Sequence, residues 1–325
     1  VLATKRPVPA VVVTLSENPQ GLLWVAEIRR DDTKDVAMIQ TARPARAEPQ
    51  ANPETLVIRK SLVFQEPLPI LDLAPISSGG GGPPLLLVLD TEKIALYTRA
   101  EAGWTLQQSQ PFKPSAPWPR DPRGRLVLRQ DGAFDAFTPG TECQGTTAPT
   151  LTLQCGQSEA GWPVGSADSP VAHFVSNRNY FDGKMKIAGQ DFQVPEFFTS
   201  AAVSAAPSPF TVYENLDGRT RMFGKGPQPA ATLDGWGSDV ASIKSGCGDG
   251  FQVLAARSGD LTQPDSIQAF SIRGREAVQA SAPVEFRGPV TALWTAPDGT
   301  SALAVARDLS TGTYDAFSIS ITCGR

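Results

Sequence analysis

Histidine is nearly absent: His173 is the only one in 325 residues. A Ser-His-Asp hydrolase would have to use it, and no Gly-x-Ser-x-Gly elbow accompanies it. Its neighbours, Ala172 and Phe174, are apolar, which reads as a strand histidine with a satisfied ring rather than a general base. No Cys-x-x-Cys spacing occurs and only one histidine is present, which argues against a zinc site. Gly79–Gly82 lacks the Lys-Ser/Thr ending of a phosphate loop, and Pro83 and Pro84 remove backbone donors after it. Basic residues are not in excess: 29 Lys and Arg stand against 33 Asp and Glu, a net charge of −4, with no stripe for nucleic acid. Apolar runs such as Leu85–Leu89 are of strand length, far from the roughly 20 residues of a membrane-crossing helix. No long segment keeps a 3.6-residue apolar period with caps, and no Asn-x-Ser/Thr acceptor is present. The sequence therefore assigns no catalytic residue, no cofactor and no metal.

What it does contain is turns and short strands. Glycine and proline number 29 each and fall mostly between apolar runs. The segment Gly288–Arg325 holds three such runs, Val290–Ala296, Ala302–Arg307 and Tyr314–Ile321, with Asp298-Gly299 between the first two. This is an antiparallel meander one strand short of a four-stranded sheet. Earlier segments repeat the pattern at about Gly21–Pro67, Leu68–Phe112, Trp118–Cys155, Gly161–Pro195, Phe197–Leu233 and Asp234–Phe286. Within Gly21–Pro67 the strands are expected at Leu22–Ile28, Val36–Thr41, Thr55–Arg59 and Leu62–Gln65. Asp-Gly pairs begin at Asp131, Asp182, Asp217, Asp234, Asp249 and Asp298. The fold expected is all-β: a seven-bladed β-propeller over residues 1–325 as a single domain, six or eight blades being the neighbouring counts. Its last blade is completed by an N-terminal strand at Pro9–Ser16, which removes two free sheet edges. A pair of β-sandwiches is the competing fold.

The final unit, carried by Asp298, Gly299, Ala302 and Tyr314–Phe317, resembles the SPDG-x-x-LAF type of repeat found in TolB-like and WD40-like propellers. The general layout is also similar to secreted bacterial propellers with VCBS or FG-GAP repeats. The calcium-binding FG-GAP pattern is met in no blade, so the resemblance implies a propeller but no ligand set.

Four cysteines, an even number, suit an exported protein. Cys143 and Cys155 lie close enough to staple a hairpin, and Cys247 with Cys323 would tie neighbouring blades; four reduced thiols in a cytosolic chain is the alternative. The chain opens on Val1, which reads as a segment removed or lying outside it. The location expected is secreted, periplasmic or at a bacterial cell surface.

Carboxylates from separate blades can converge on a propeller channel, and Asp31, Asp32, Asp121 and Asp239 are the candidates. Asn177, Arg178, Asn179 and Tyr180 form a polar, aromatic hairpin able to join a ligand surface. Loops at Ala42–Pro53, Ser77–Pro84, Ala201–Pro209 and Gly259–Asp265 offer contact surface on a rigid frame. The function expected is a non-catalytic binding or scaffold propeller of the cell envelope or extracellular space, engaging another protein there, with no nucleic acid and no membrane span. The alternatives are a glycan hydrolase or lyase working through channel carboxylates, and a structural subunit of a surface assembly.

Overall fold

The computed structural model describes residues 10–18, 21–30, 33–41, 56–76, 82–101, 103–119, 121–129, 132–159, 161–164, 171–176, 178–187, 190–203, 210–224, 229–248, 250–258 and 260–324. Its contacts divide the chain into two units, Val1–Pro49 and Gln50–Arg325, where the sequence alone reads as one domain. Among the described residues every long regular element is a strand.

The first unit is an antiparallel sheet of β1 (Ala10–Asn18), β2 (Gly21–Arg30) and β3 (Thr33–Thr41), in that order. Val11–Val13 form a strand, as their β-branched side chains favour. Their partner corrects the expected ring closure: β1 pairs β2 from Ala10↔Arg29 to Asn18↔Gly21, not the last strand of the chain. A hairpin between adjacent segments closes a far shorter loop than pairing across the whole polypeptide, and so costs less entropy. Leu22–Ile28 and Val36–Thr41 are thereby taken out of the expected first blade as well.

The second unit begins with β4 (Leu56–Glu66), one long strand where two were expected. Lys60 and Ser61 look like a break in the sequence, yet they pair with Ile319 and Ser318. Four-stranded antiparallel meanders follow. Blade I is β5 (Asp72–Ile76), β6 (Leu85–Leu89), β7 (Lys93–Ala100) and β8 (Gly103–Pro111). Blade II is β9 (Arg125–Leu128), β10 (Ala133–Thr138), β11 (Thr141–Thr146) and β12 (Thr152–Gln157). Blade III is β13 (Trp162–Pro163), β14 (Val171–Phe174), β15 (Phe181–Ile187) and β16 (Gln190–Gln193). Blade IV is β17 (Phe197–Val203), β18 (Phe210–Asn215), β19 (Thr220–Phe223) and β20 (Pro229–Leu233), joined to blade III by the single pair Phe181↔Phe197. Blade V is β21 (Val240–Lys244), β22 (Phe251–Ala256), β23 (Ser266–Arg273) and β24 (Glu276–Gln279), with β25 (Val284–Glu285) also on β23. Blade VI is β26 (Val290–Thr295), β27 (Ala302–Arg307) and β28 (Tyr314–Cys323), completed on its outer edge by β4.

The cores lie between blades, and they close a circle. The second strand of a blade is apolar on both faces and divides its side chains between two neighbours, as a continuous apolar run demands. In β6, Leu87 and Leu89 pack with Leu126 and Phe134 of blade II, while Leu86 and Val88 pack with Leu303 and Val305 of blade VI. In β22, Val253 and Ala255 face blade IV beside Val212, and Leu254 and Ala256 face blade VI beside Leu293. Phe137, Trp162, Phe174, Phe181, Phe197 and Tyr213 form an aromatic cluster that joins blades II, III and IV. The second unit is therefore a β-propeller, and among the described residues its ring holds six blades. Trp104 of β8 donates its indole N–H to the carbonyl of Val63 at 2.6 Å, fastening the closing strand to blade I.

Glycine is required at two positions. Gly299, at φ 70°, makes the β26–β27 turn, where Asp298 Oδ1 accepts the Thr300 N–H at 3.0 Å. Gly183, at φ 80°, is a correction: Asp182-Gly183 sits inside β15 rather than at a hairpin tip. A Cβ on Gly183 would stand 2.1 Å from the Val194 carbonyl oxygen, so the close strand crossing excludes a side chain. Asp131 and Asp249 lie outside the described residues.

Cys143 is bonded to Cys155 and Cys247 to Cys323. The first pair staples directly opposed residues of β11 and β12. The second ties the turn after β21 to the end of β28, joining blades V and VI.

Candidate functional site: the propeller channel

The first strand of each blade lines the axis. A cavity of about 90 Å³ receives residues from all six blades, among them Leu71, Arg125, Trp162, Ser200, Asp239 and Trp294. Its surroundings are mainly apolar and aromatic, while its charged members, Arg123, Arg125 and Asp239, lie just before or at the start of β9 and just before β21.

There Arg123 is the central group. Blade II places it two residues before β9, and its side chain is only 12% exposed. Its Nη1 lies 3.0 Å from Asp239 Oδ1 and its Nη2 3.3 Å from Asp239 Oδ2, a two-pronged contact matched to the planar fork of guanidinium. The same Nη2 is 3.3 Å from Asp121 Oδ2. Asn179 donates its amide N–H to Asp121 Oδ2 at 3.3 Å, and Ser238 donates its hydroxyl to Asp239 Oδ2 at 2.7 Å. Blades II and V stand opposite each other in a ring of six, so Arg123 and Asp239 clasp across the axis.

Burial sets the electrostatics. It pushes the Asp121 carboxyl up, an effect that Arg123 opposes and Asp239 reinforces. Burial would lower the Arg123 guanidinium, but Asp239 and Asp121 more than offset it and hold the group above its ordinary value. Beside them Asp72, at the start of β5, is pushed up to about 6 by burial, against the pull of Arg125 and of the N–H groups of Leu126 and Leu73. Asp72 Oδ2 accepts the Leu126 N–H at 2.7 Å and Oδ1 accepts the Leu73 N–H at 2.7 Å, so this carboxyl stitches blade I to blade II.

Of the residues singled out from sequence, Asp121, Asp239 and Asn179 are brought together here, although up to 118 positions separate them. Asp31, Asp32 and Asn177 lie outside the described residues, as do 42–53, 77–81 and 204–209 of the expected loops; Ala201–Val203 belong to β17. His173 lies in β14, its Nε2 3.2 Å from Glu159 Oε2 and its Nδ1 3.3 Å from Asp182 Oδ2, a partly exposed surface cluster. Arg123 and Asp72 were not anticipated. The signal for Asp72 was an acidic residue at the start of a strand, as in Asp72-Leu73; Arg123 had none. Among the described residues no group of three or more His, Cys, Asp or Glu side chains is arranged to hold a metal ion.

No protein-family model matches the chain, and no curated protein matches it. Solved structures do. One, titled as the crystal structure of a mitotic checkpoint complex, is 10% identical over 97% of this chain and 98% of its own, with a TM-score of 0.42. Hsv2 of Kluyvelomyces marxianus is 10% identical over 68% of this chain and 66% of its own, with a TM-score of 0.36. The PQQ-bound aldose sugar dehydrogenase of Streptomyces coelicolor is 12% identical over 84% of this chain and all of its own, with a TM-score of 0.49. These scores carry no argument about activity, and the propeller assignment rests on strand pairing and on the circular order of the cores. No helix among the described residues is long and apolar enough to cross a membrane.

Proposed function

We propose that the chain is a non-catalytic binding or scaffold propeller of six blades that works in an oxidising compartment, outside a bacterial cytoplasmic membrane, and engages another protein there. The observation that carries this reading is the clasp of Arg123 by Asp239 and Asp121. A carboxylate pair that hydrolyses a glycosidic bond needs one group free to give a proton and the other free to attack or to activate water. Both channel carboxylates instead share one buried guanidinium, and Asp72 is engaged by two backbone N–H groups. These groups act as ring fasteners, which leaves a rigid frame presenting its loops. Two disulfides accord with the compartment, because thiols stay reduced in the cytosol.

One observation favours the enzyme alternative. Asp121 and Asp239 do lie beside a cavity on the axis, where a propeller hydrolase would hold its acids. Two measurements separate the readings: recovery of the protein cross-linked in its native envelope fraction, and assay of the purified protein on polysaccharides. The binding reading expects a stoichiometric protein partner and no cleavage. Recovery of the protein alone, with polysaccharide cleavage that Asp239→Asn abolishes, would overturn it.

A further inference from the structure

The axial cavity holds no spare charge. Arg123 gives its two Nη groups to Asp239 and Asp121, and Arg125 Nη1 stands 3.5 Å from Asp72 Oδ2. Each ionised group on the wall thus has its counterion within the ring. Much of the remaining wall is apolar or aromatic: Leu71 before blade I, Trp162 and Phe181 of blade III, Leu293 and Trp294 of blade VI.

Two residues of that wall each keep a buried polar atom unmatched. Ser200 of β17 is 5% exposed, and its Oγ has no hydrogen-bond partner among the described residues. Arg123 Nε is likewise buried without a partner, although both Nη groups are taken. Native structures seldom leave such groups without an answer. An Nε–H only donates and a hydroxyl is able to donate, so an acceptor oxygen answers both. Water is poorly suited to the place, since an ordered water needs roughly two to four polar partners. The nearby hydroxyls of Thr291 and Thr295 already donate to the carbonyls of Val305 and Ser242, at 3.4 and 2.7 Å. Poorly held water gives way readily to an apolar group.

We propose that the axial cavity binds a small neutral molecule with an apolar body and one carbonyl oxygen, which takes up the unmatched donors of Ser200 and Arg123. Charge selects neutrality: an anion would have to compete with Asp239 and Asp121 for the guanidinium, and a cation would meet carboxylates that the guanidinium already holds. Size sets the scale. The cavity measures about 90 Å³, against roughly 150 Å³ for an apolar cavity that admits benzene, which leaves room for about four to six non-hydrogen atoms. This site stands apart from the protein partner proposed above, and neither requires the other.

Titration of the whole chain with cyclopentanone, followed by saturation-transfer NMR, tests this, with cyclopentane as the ring that lacks the oxygen. The parent should bind the ketone. Ser200→Ala should weaken the ketone about three- to tenfold, the worth of one neutral hydrogen bond, and leave the hydrocarbon unmoved. Ala292→Leu, which narrows the cavity, should weaken both. If that variant fails to fold, the contrast between the two rings in Ser200→Ala decides alone. No ketone binding by the parent overturns the proposal and leaves the cavity to water. A ketone affinity that Ser200→Ala leaves unchanged also overturns it, as does equal loss of ketone and hydrocarbon, which would make Ser200 a packing residue. Ketone binding that a folded Ala292→Leu retains in full would place the probe outside the cavity and overturn it too.

Discussion

Arg123 Nη1 and Asp239 Oδ1 lie 3.0 Å apart although their blades face each other across the ring. Each of the two side chains has left water: Arg123 is 12% exposed and Asp239 1%. A pair of this kind is costly to break, because removing one partner strands a buried charge. Arg123→Ala should therefore destabilise the propeller by about 3–5 kcal/mol in urea unfolding. Replacing both partners with apolar residues, Arg123→Met with Asp239→Leu, should cost less than the single change. Equal losses from the single and double variants would mean that the two groups are not coupled.

Glu66, the last residue of the closing strand, supplies a pH dependence. Burial pushes its carboxyl up to about 7, Asp90 adds to the rise and Lys93 opposes it. The folded protein thus favours the protonated form more than the unfolded chain does. That contribution is fully present below about pH 4.5, the ordinary value, and is lost as pH rises through about 7. Asp308 acts in the opposite sense: hydrogen bonds from the hydroxyl and backbone of Ser310 hold it low, so its contribution fades in acid. Comparing Glu66→Gln with the parent isolates the first effect. The fall in melting temperature between pH 5 and 8 should be shallower in the variant. Parallel curves would remove Glu66 as the cause.

The disulfides should differ in weight. Cys247–Cys323 spans 76 positions and joins two blades, whereas Cys143–Cys155 spans 12 within one hairpin. Loop-closure entropy then gives about 4–5 kcal/mol for the long bridge and about 3 for the short one. Serine pairs at each bridge, unfolded in urea, should reproduce this order. The reverse order would show that strand pairing in β11–β12, not chain entropy, dominates.

Much of the ring was legible from local signals. Ala302–Arg307 was marked by its apolar pattern and the Asp298-Gly299 turn before it, and it is a strand with those bounds. The six units from Leu68 onward follow the expected succession, because each is a meander whose turns are written in its own sequence. Partner choice over long distances was not written there. Val11–Val13 have a strand's composition, and composition cannot say whether β2 or β28 lies alongside. Lys60 and Ser61 resembled a turn because an outermost strand, exposed on one side, tolerates polar residues. Asp121 and Asp239 could be named, but the guanidinium between them could not, since only the closed ring brings blades II and V face to face.

The ring is completed by β4, not β1, alongside β28. Hydrogen exchange at the amides of Tyr314–Cys323 tests this most directly, in one chain lacking residues 1–49 and another lacking residues 1–66. Loss of 1–49 should leave β28 as protected as in the full chain, with an unchanged cooperative melt of the propeller. Loss of 1–66 should expose it. Protection that vanishes with 1–49, or survives the loss of 1–66, would contradict the ring described here.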